Sequence, residues 1–119
     1  MPFLGNLAAF GDQRVGAAGT SSEWAGVIPG TQTQQVGPVR VIGASRLAVS
    51  MLFTVGAFTS VDVEYRVGHA WRLLARIAPV VNTPFYQDWV ISCREVRVRA
   101  TTQAAGATVS HLTLFATGT

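Results

Sequence analysis

Two carboxylates, Asp62 and Glu64, are the residues whose spacing first suggests catalysis. They fall in an alternating segment, and side chains two positions apart on a β-strand point the same way, at a separation of roughly 7 Å. Inverting glycosidases hold their carboxyl groups about 6.5–9.5 Å apart, so this distance permits glycoside hydrolysis. Arg66, Arg97 and Arg99 offer ion-pair partners, however, and antiparallel sheets commonly carry a charged outer face. We therefore interpret the two acids as surface charges.

The one cysteine, Cys93, could form a thiol–imidazole pair with His69 or His111, because catalytic partners need to be close only in space. Its segment, residues 89–93, has the pattern of a buried strand, and a free cysteine most often packs as a small apolar side chain. A single cysteine also excludes an internal disulfide framework and any zinc site with several thiolates.

Other motifs that would indicate an enzyme are missing. His69 falls in a predicted hairpin turn and His111 in a predicted strand, without the spacing of metal ligands. No glycine-rich loop leads from a strand into a helix to bind phosphate, and there is no Gly-x-Ser-x-Gly elbow. The sequence predicts no metal, no cofactor and no catalytic residue, which favours a protein without enzymatic activity.

Five aromatic residues near arginines could stack on bases or on sugar rings. Tyr65 and Trp71 fall on the inward phase of their predicted strands and are interpreted as core. Phe85 and Tyr86 follow a proline in a predicted loop, ahead of Trp89. These two are the candidates for an exposed contact surface.

Composition indicates one folded domain: the 119 residues are 49% hydrophobic and 13% charged. All nine basic residues are arginine, a bias that is typical of GC-rich genes and that also suits protein interfaces. The net charge of +3 is scattered along the chain, which disfavours nucleic-acid binding. The longest apolar stretch, residues 47–61, is too short and too polar to span a membrane. No basic residue precedes Arg14, so we expect synthesis in the cytoplasm without a secretory signal.

Residues 1–33 are predicted to form an extended N-terminal arm. Six of the twelve glycines fall within the first 30 residues. A purely solvated linker would not need the large apolar side chains found there, which could anchor the arm on a neighbouring surface by apolar burial. The alternative is that this segment packs on its own domain. The candidate anchors are Phe3, Leu4, Leu7, Phe10 and Trp24.

Residues 34–119 are predicted to form a single antiparallel β-sandwich of seven or eight strands, with a jelly-roll or immunoglobulin-like arrangement. Turn signals recur every 8–12 residues, as in all-β sandwiches and barrels. Residues 61–67 and 95–100 alternate apolar and charged side chains with a period of two. Residues 70–77 also fit a helical spacing, but a strand agrees better with the neighbouring segments. The remaining strands are predicted at residues 35–42, 46–55, 71–77, 89–93 and 108–116.

The segment from about residue 35 to 119 resembles a small β-sandwich of virion structural proteins of tailed bacteriophages, the head decoration, head fibre and tail-associated kind. The resemblance lies in the alternating strand, glycine turn and tryptophan of residues 61–71, the strand at 95–102, the small-residue turn at 104–106 and the last strand at 108–116. Here Val67 occupies the position before the turn glycine where such proteins usually carry an acid.

The resemblance implies an accessory virion protein, assembled in the host cytoplasm, that decorates or cements the head as a symmetric oligomer, commonly a trimer. Its partners would be the major capsid protein or other virion subunits, bound through the arm. The alternative function is a glycan-binding or adhesive module of a tail fibre, with Phe85 or Tyr86 against sugar rings.

Overall fold

The computed structural model of the protein describes residues 14–16, 19–41 and 44–118. These residues form only strands and their connections, which confirms the predicted all-β fold class. No helix among them has the length and apolar character needed to cross a membrane. The seven strands are β1 (Arg14–Gly16), β2 (Gly19–Ile28), β3 (Thr33–Arg40), β4 (Ala44–Arg66), β5 (Trp71–Ile77), β6 (Phe85–Val90) and β7 (Glu95–Gly118).

Two long central strands, β4 and β7, pair with each other along almost their whole length and carry the other strands on their outer sides. The first layer contains one half of this pair. Strand β2 pairs with its β7 side and β1 pairs with β2, whereas β6 pairs with its β4 side. The other half, with β3 beside β7 and β5 beside β4, forms the second layer. All these pairings are antiparallel, so one bent sheet supplies both layers of a sandwich.

The core lies between the two layers because each strand directs alternate side chains inward. Buried side chains from both layers belong to one hydrophobic cluster. The first layer contributes Ile28, Leu47, Val49, Met51, Phe53, Val109, Leu112, Leu114 and Ala116, and the second layer and its loops contribute Val36, Val39, Val41, Val61, Val63, Ile77, Val96, Val98 and Ala100.

The bend between the layers is built around two glycines. Gly56 in β4 has φ +100° and Gly106 in β7 has φ +73°, in the left-handed region that other residues rarely adopt. A Cβ on Gly56 would overlap the carbonyl oxygen of Gly106. The pairing register between the two strands shifts repeatedly from Leu52 to Ser60, and such bulges bend and twist a strand.

The prediction that the arm extends to residue 33 was wrong. Residues Gly19–Ile28 form β2, which pairs with β7, and Trp24 packs against the core. Small residues such as Ser21 and Ser22 gave no apolar alternation, but Ser22 lies inward and is buried. Residues 19–28 form a strand because they pair with β7, although their local composition does not indicate a strand.

Several strand limits also differ from the prediction. The predicted strands at 46–55 and 61–67 are parts of β4, and those at 95–100 and 108–116 are parts of β7. Residues 104–106 therefore bend within a strand and do not form a turn. The predicted loop at Phe85 and Tyr86 was wrong too, because both lie in β6, which ends at Val90.

The predicted inward alternation of β5 holds for only part of that strand. Ile77 is buried and Ala75 packs against the core, but a register shift opposite Val63 and Glu64 reverses the phase. Leu74 then faces the core, while Leu73 is 52% exposed. Trp71 consequently lies among outward-facing arginines, not in the core.

Candidate functional site

The outer face of the second layer carries a ladder of ion pairs across β5, β4 and β7. Arg76 of β5 binds Asp62 with two hydrogen bonds, Nε to Oδ1 at 2.7 Å and Nη2 to Oδ2 at 3.1 Å. Arg97 of β7 donates from Nε to Glu64 Oε1 at 2.7 Å. The alternating strand pattern points these charges outward, and the antiparallel register then sets opposite charges beside each other.

The ladder ends at Trp71, whose ring lies under two guanidinium groups. Arg97 Cζ is 4.1 Å from the ring centroid and Arg66 Cζ is 5.7 Å from it. Arg66 also binds Glu95 through Nε at 2.8 Å and through Nη2, and donates to the Gly68 carbonyl at 3.1 Å. Trp71 therefore packs against two arginines, each of which also forms an ion pair with a glutamate.

This arrangement favours the structural interpretation of the two acids. Asp62 and Glu64 each accept hydrogen bonds from an arginine, and their side chains are only 16% exposed. The hydrogen bond and charge of Asp62 raise the pKa of the Arg76 guanidinium. Among the predicted partners, Arg97 binds Glu64, whereas Arg66 binds Glu95. Arg76 was not identified from the sequence as the partner of Asp62. The two residues lie opposite each other across the β4–β5 hairpin, and that position could have indicated the pair.

Cys93 makes no hydrogen bond to His69 or His111 in the part of the chain that the structure describes. Cys93 packs partly against the core, and burial raises the pKa of its thiol. His111 instead lies on the outer face of the first layer, where Nε2 is 3.1 Å from Ser50 Oγ. A serine–histidine pair requires a third group to orient the imidazole for catalysis. Within the described ranges, no carboxylate contacts His111, and no three potential metal ligands cluster.

The predicted contact residues fall into different environments. Tyr86 is 66% exposed on β6, whereas Phe85 turns inward and packs against the core. Trp24 lies half-buried in β2. The anchors Phe3, Leu4, Leu7 and Phe10 lie outside the described residues. The structure thus leaves Tyr86 as the exposed member of the aromatic pair.

A cavity of about 400 Å³ opens beside the bend of β4, against the connection between β5 and β6. Buried side chains Phe53, Val61 and Ile77 line it, and the Phe53 and Phe58 rings meet edge to face with centroids 5.0 Å apart. Val81 forms part of the opposite wall and is 41% exposed. No sequence motif indicated this cavity, because its walls meet only after β4 bends.

Comparison with known proteins bears on the fold. No protein-family profile matches the sequence, and no curated protein matches it. One similar solved structure is described as Bacillus endospore appendages, which form a family of disulfide-linked pili. The likeness has a TM-score of 0.52 at 10% sequence identity and covers 96% of this chain and 97% of that chain.

The chain therefore has an all-β fold of the kind found in a structural appendage protein. At 10% identity the likeness shows the fold alone. It supports the prediction of an all-β fold and lends nothing to the narrower resemblance to phage virion proteins.

Proposed function

We propose that this protein is a non-enzymatic structural subunit that works by assembling with other protein chains. The specific form that the sequence resemblance suggests is a phage virion protein that decorates the head as a symmetric oligomer, with the capsid protein as its partner. The charges of the second layer support a structural role, because they are used to hold strands together. The fold it shares with a pilus subunit is consistent with that role.

The observation that carries this proposal is the number of large apolar side chains left on the surface. Contiguous exposed apolar patches commonly mark protein–protein contact sites. Three of them, Tyr86 and Val90 on β6 and Phe115 on β7, lie on the outer face of the first layer. They flank the exposed ion pair of Arg46 with Asp88, so this surface combines apolar and charged groups. The full set of such side chains is Val27, Val55, Val67, Leu73, Val80, Val81, Tyr86, Val90 and Phe115.

The sequence also constrains how the assembly is held together. A chain with one cysteine can be joined through disulfides to only one other chain. Disulfides between copies of this chain could therefore produce pairs but no polymer. We infer that contacts between copies are non-covalent, unlike those of the disulfide-linked pili whose fold it shares.

The test is the native mass of the full chain as its concentration is raised, measured by analytical ultracentrifugation. A discrete oligomer is expected, and the resemblance implies a trimer. Cryo-electron microscopy of particles that contain the protein would then give its location. A monomer at every concentration, with no binding to any particle, would contradict the proposal.

A second candidate function, glycan binding, is favoured by the surroundings of Tyr86. Its exposed ring lies opposite Ser50, which is hydrogen-bonded to His111, so an aromatic surface and polar groups lie side by side. Sugar sites commonly combine the two. On a glycan array, Tyr86→Ala should abolish binding while Val90→Ala, on the same exposed strand, should not. Absence of binding by the unaltered chain would exclude this function.

A further inference from the structure

The cavity beside the bend of β4 has the properties of a receptor for an apolar side chain. Its inner wall is buried and apolar, and its aromatic pair offers ring faces and edges to an entering ring. A cavity of about 150 Å³ already holds benzene, so about 400 Å³ accommodates a phenylalanine side chain and part of its neighbours. Arg76, the one charged lining residue, is neutralised by its two hydrogen bonds to Asp62.

The stretch of β4 beside the cavity has no paired strand on this side among the described residues, and the chain's own β5–β6 connection crosses it. On this side of β4, β6 pairs only as far as Met51, and β5 begins to pair at Val61. Between these points, the described residues supply no strand partner on this side. The connection from β5 to β6 runs beside this stretch and is tied to β4 at one point, where Asn82 N donates to Phe53 O at 2.8 Å. The contact we infer here therefore rests on the apolar cavity and not on strand addition to β4.

The chain itself contains a peptide that matches this receptor. Residues 1–11, here named the leader, contain no charged side chain and five large apolar ones, Met1, Phe3, Leu4, Leu7 and Phe10. Phe3 lies eleven residues before Arg14 and can extend up to roughly 36–40 Å from it, whereas Phe10 lies four residues before and can extend roughly 13–14 Å. The described part of the molecule measures 39 Å along its longest axis. The leader is therefore long enough to reach a second copy.

The strand order sets β1, the first described strand after the leader, far from the cavity. β1 lies at one end of the order β1-β2-β7-β4-β5, whereas the cavity lies beyond β4 at the other end. A donor at one edge and an acceptor at the opposite edge make a head-to-tail contact. Such contacts close into a ring or continue as an open filament.

We propose that the leader of one copy inserts Phe3 or Phe10 into the β4-bend cavity of the next copy, so that the subunits assemble head to tail. This inference rests on the proposed function as an assembling structural subunit. The two surfaces that meet are the leader and the β4-bend cavity.

The first experiment compares two adjacent valines in the full chain. Val81→Asp places a charge on the cavity wall, and Val80→Asp places the same charge on a side chain that is 61% exposed and outside the lining. By ultracentrifugation, Val81→Asp and the double variant Phe3→Ala/Phe10→Ala should weaken self-association on the order of 10- to 100-fold. Val80→Asp, which changes an exposed apolar side chain outside the cavity lining, should weaken it much less than Val81→Asp. Circular dichroism verifies that all the variants are folded.

The second experiment separates contact between copies from contact within one chain. In a Cys93→Ser background, one chain carries Phe10→Cys and another carries Val81→Cys, and the two are mixed under mild oxidation, alongside a matching pair that uses Phe3→Cys. Since each chain has one thiol, a disulfide between the two kinds of chain proves contact between copies. Cross-linking only within a chain that carries both substitutions would overturn the proposal.

The outcomes also distinguish this inference from the proposed function. Equal self-association of Val80→Asp, Val81→Asp and the unaltered chain would overturn the cavity contact and leave an assembling subunit with another interface. An unaltered chain that is monomeric at every concentration would overturn this inference, and if it also bound no particle it would overturn the proposed function.

Discussion

Arg97 lies with its guanidinium 4.1 Å from the ring centroid of Trp71 while its Nε donates to Glu64 at 2.7 Å, so one side chain joins β7 to both β4 and β5. The side chains of Arg97 and Glu64 are 18% and 16% exposed. Partial burial protects both interactions from water and salt.

Replacing Trp71 by leucine should lower the free energy of unfolding by about 0.5–2 kcal/mol, because the ring face that attracts Arg97 is lost. Arg97→Lys should also destabilise, since an ammonium cannot stack and donate from Nε in the same geometry. Arg72→Lys is the control, because Arg72 is exposed at the neighbouring position. Urea unfolding followed by circular dichroism measures all three, and equal stability of the two arginine variants would contradict the role of Arg97.

Gly56→Ala should destabilise the chain by at least roughly 1–3 kcal/mol, because it forces a side chain into a left-handed backbone conformation. The new Cβ would also overlap the Gly106 carbonyl, which cannot move without opening the bend. Gly68→Ala is the matched control, since nothing lies within 4 Å of its added Cβ. Thermal unfolding of the two variants should separate them, and similar melting temperatures would show that the bend tolerates a side chain.

Thr102→Val should cost about 1–3 kcal/mol, because it removes a buried hydroxyl that serves three backbone groups. Thr102 Oγ1 donates to the carbonyls of Pro29, at 2.6 Å, or Gln32, at 3.3 Å, and accepts from Gln32 N at 3.2 Å. Thr101→Val is the control, because the Thr101 hydroxyl meets only Thr33 on the exposed face. Chemical denaturation should show a loss for Thr102→Val several times that for Thr101→Val.

Stability should fall at alkaline pH through Cys93. Burial raises the pKa of its thiol above the ordinary value of 9.0, so the folded chain keeps a proton that the unfolded chain releases. The contribution of Cys93 to the free energy of unfolding is therefore constant below the pKa of the thiol in the unfolded chain. It decreases as the pH rises towards the higher pKa of the thiol in the folded chain. Unfolding measured from about pH 7 to about pH 10.5 should show a smaller alkaline loss in Cys93→Ala. Identical slopes would mean that the thiol titrates normally.

Deleting residues 1–13 should leave the domain folded, whereas deleting residues 1–30 should not. The longer deletion removes β2, and with it the pairing to β7 and the core side chains Trp24 and Ile28. Circular dichroism and thermal unfolding compare the two truncated chains. A cooperative transition in the longer deletion would show that β2 is dispensable.

The all-β class followed from local pattern alone. Val61 and Val63 alternate with Asp62 and Glu64, and this period of two predicted both the buried and the charged face. The limits of β5 at Trp71–Ile77 were also predicted, because Gly68 and a proline punctuate the segment on either side. Alternation and turn chemistry are properties of neighbouring residues, so they are visible in a sequence.

The errors have a common cause in long-range pairing. β2 lacks alternation and exists because β7 pairs with it. Trp71 lies outside because one register shift reversed the phase of β5. The union of the predicted strands into β4 and β7 depends on Gly56 and Gly106 meeting at the bend, which no short window of sequence reveals.

The sequence by itself determined that the chain forms strands, which faces carry charge, and that an uncharged apolar leader precedes them. Only the tertiary structure decided which arginine neutralises which carboxylate, and that a cavity lies beside the bend of β4. The physical reason is that strand pairing joins residues far apart in the chain, so contacts across the sheet depend on register and bending.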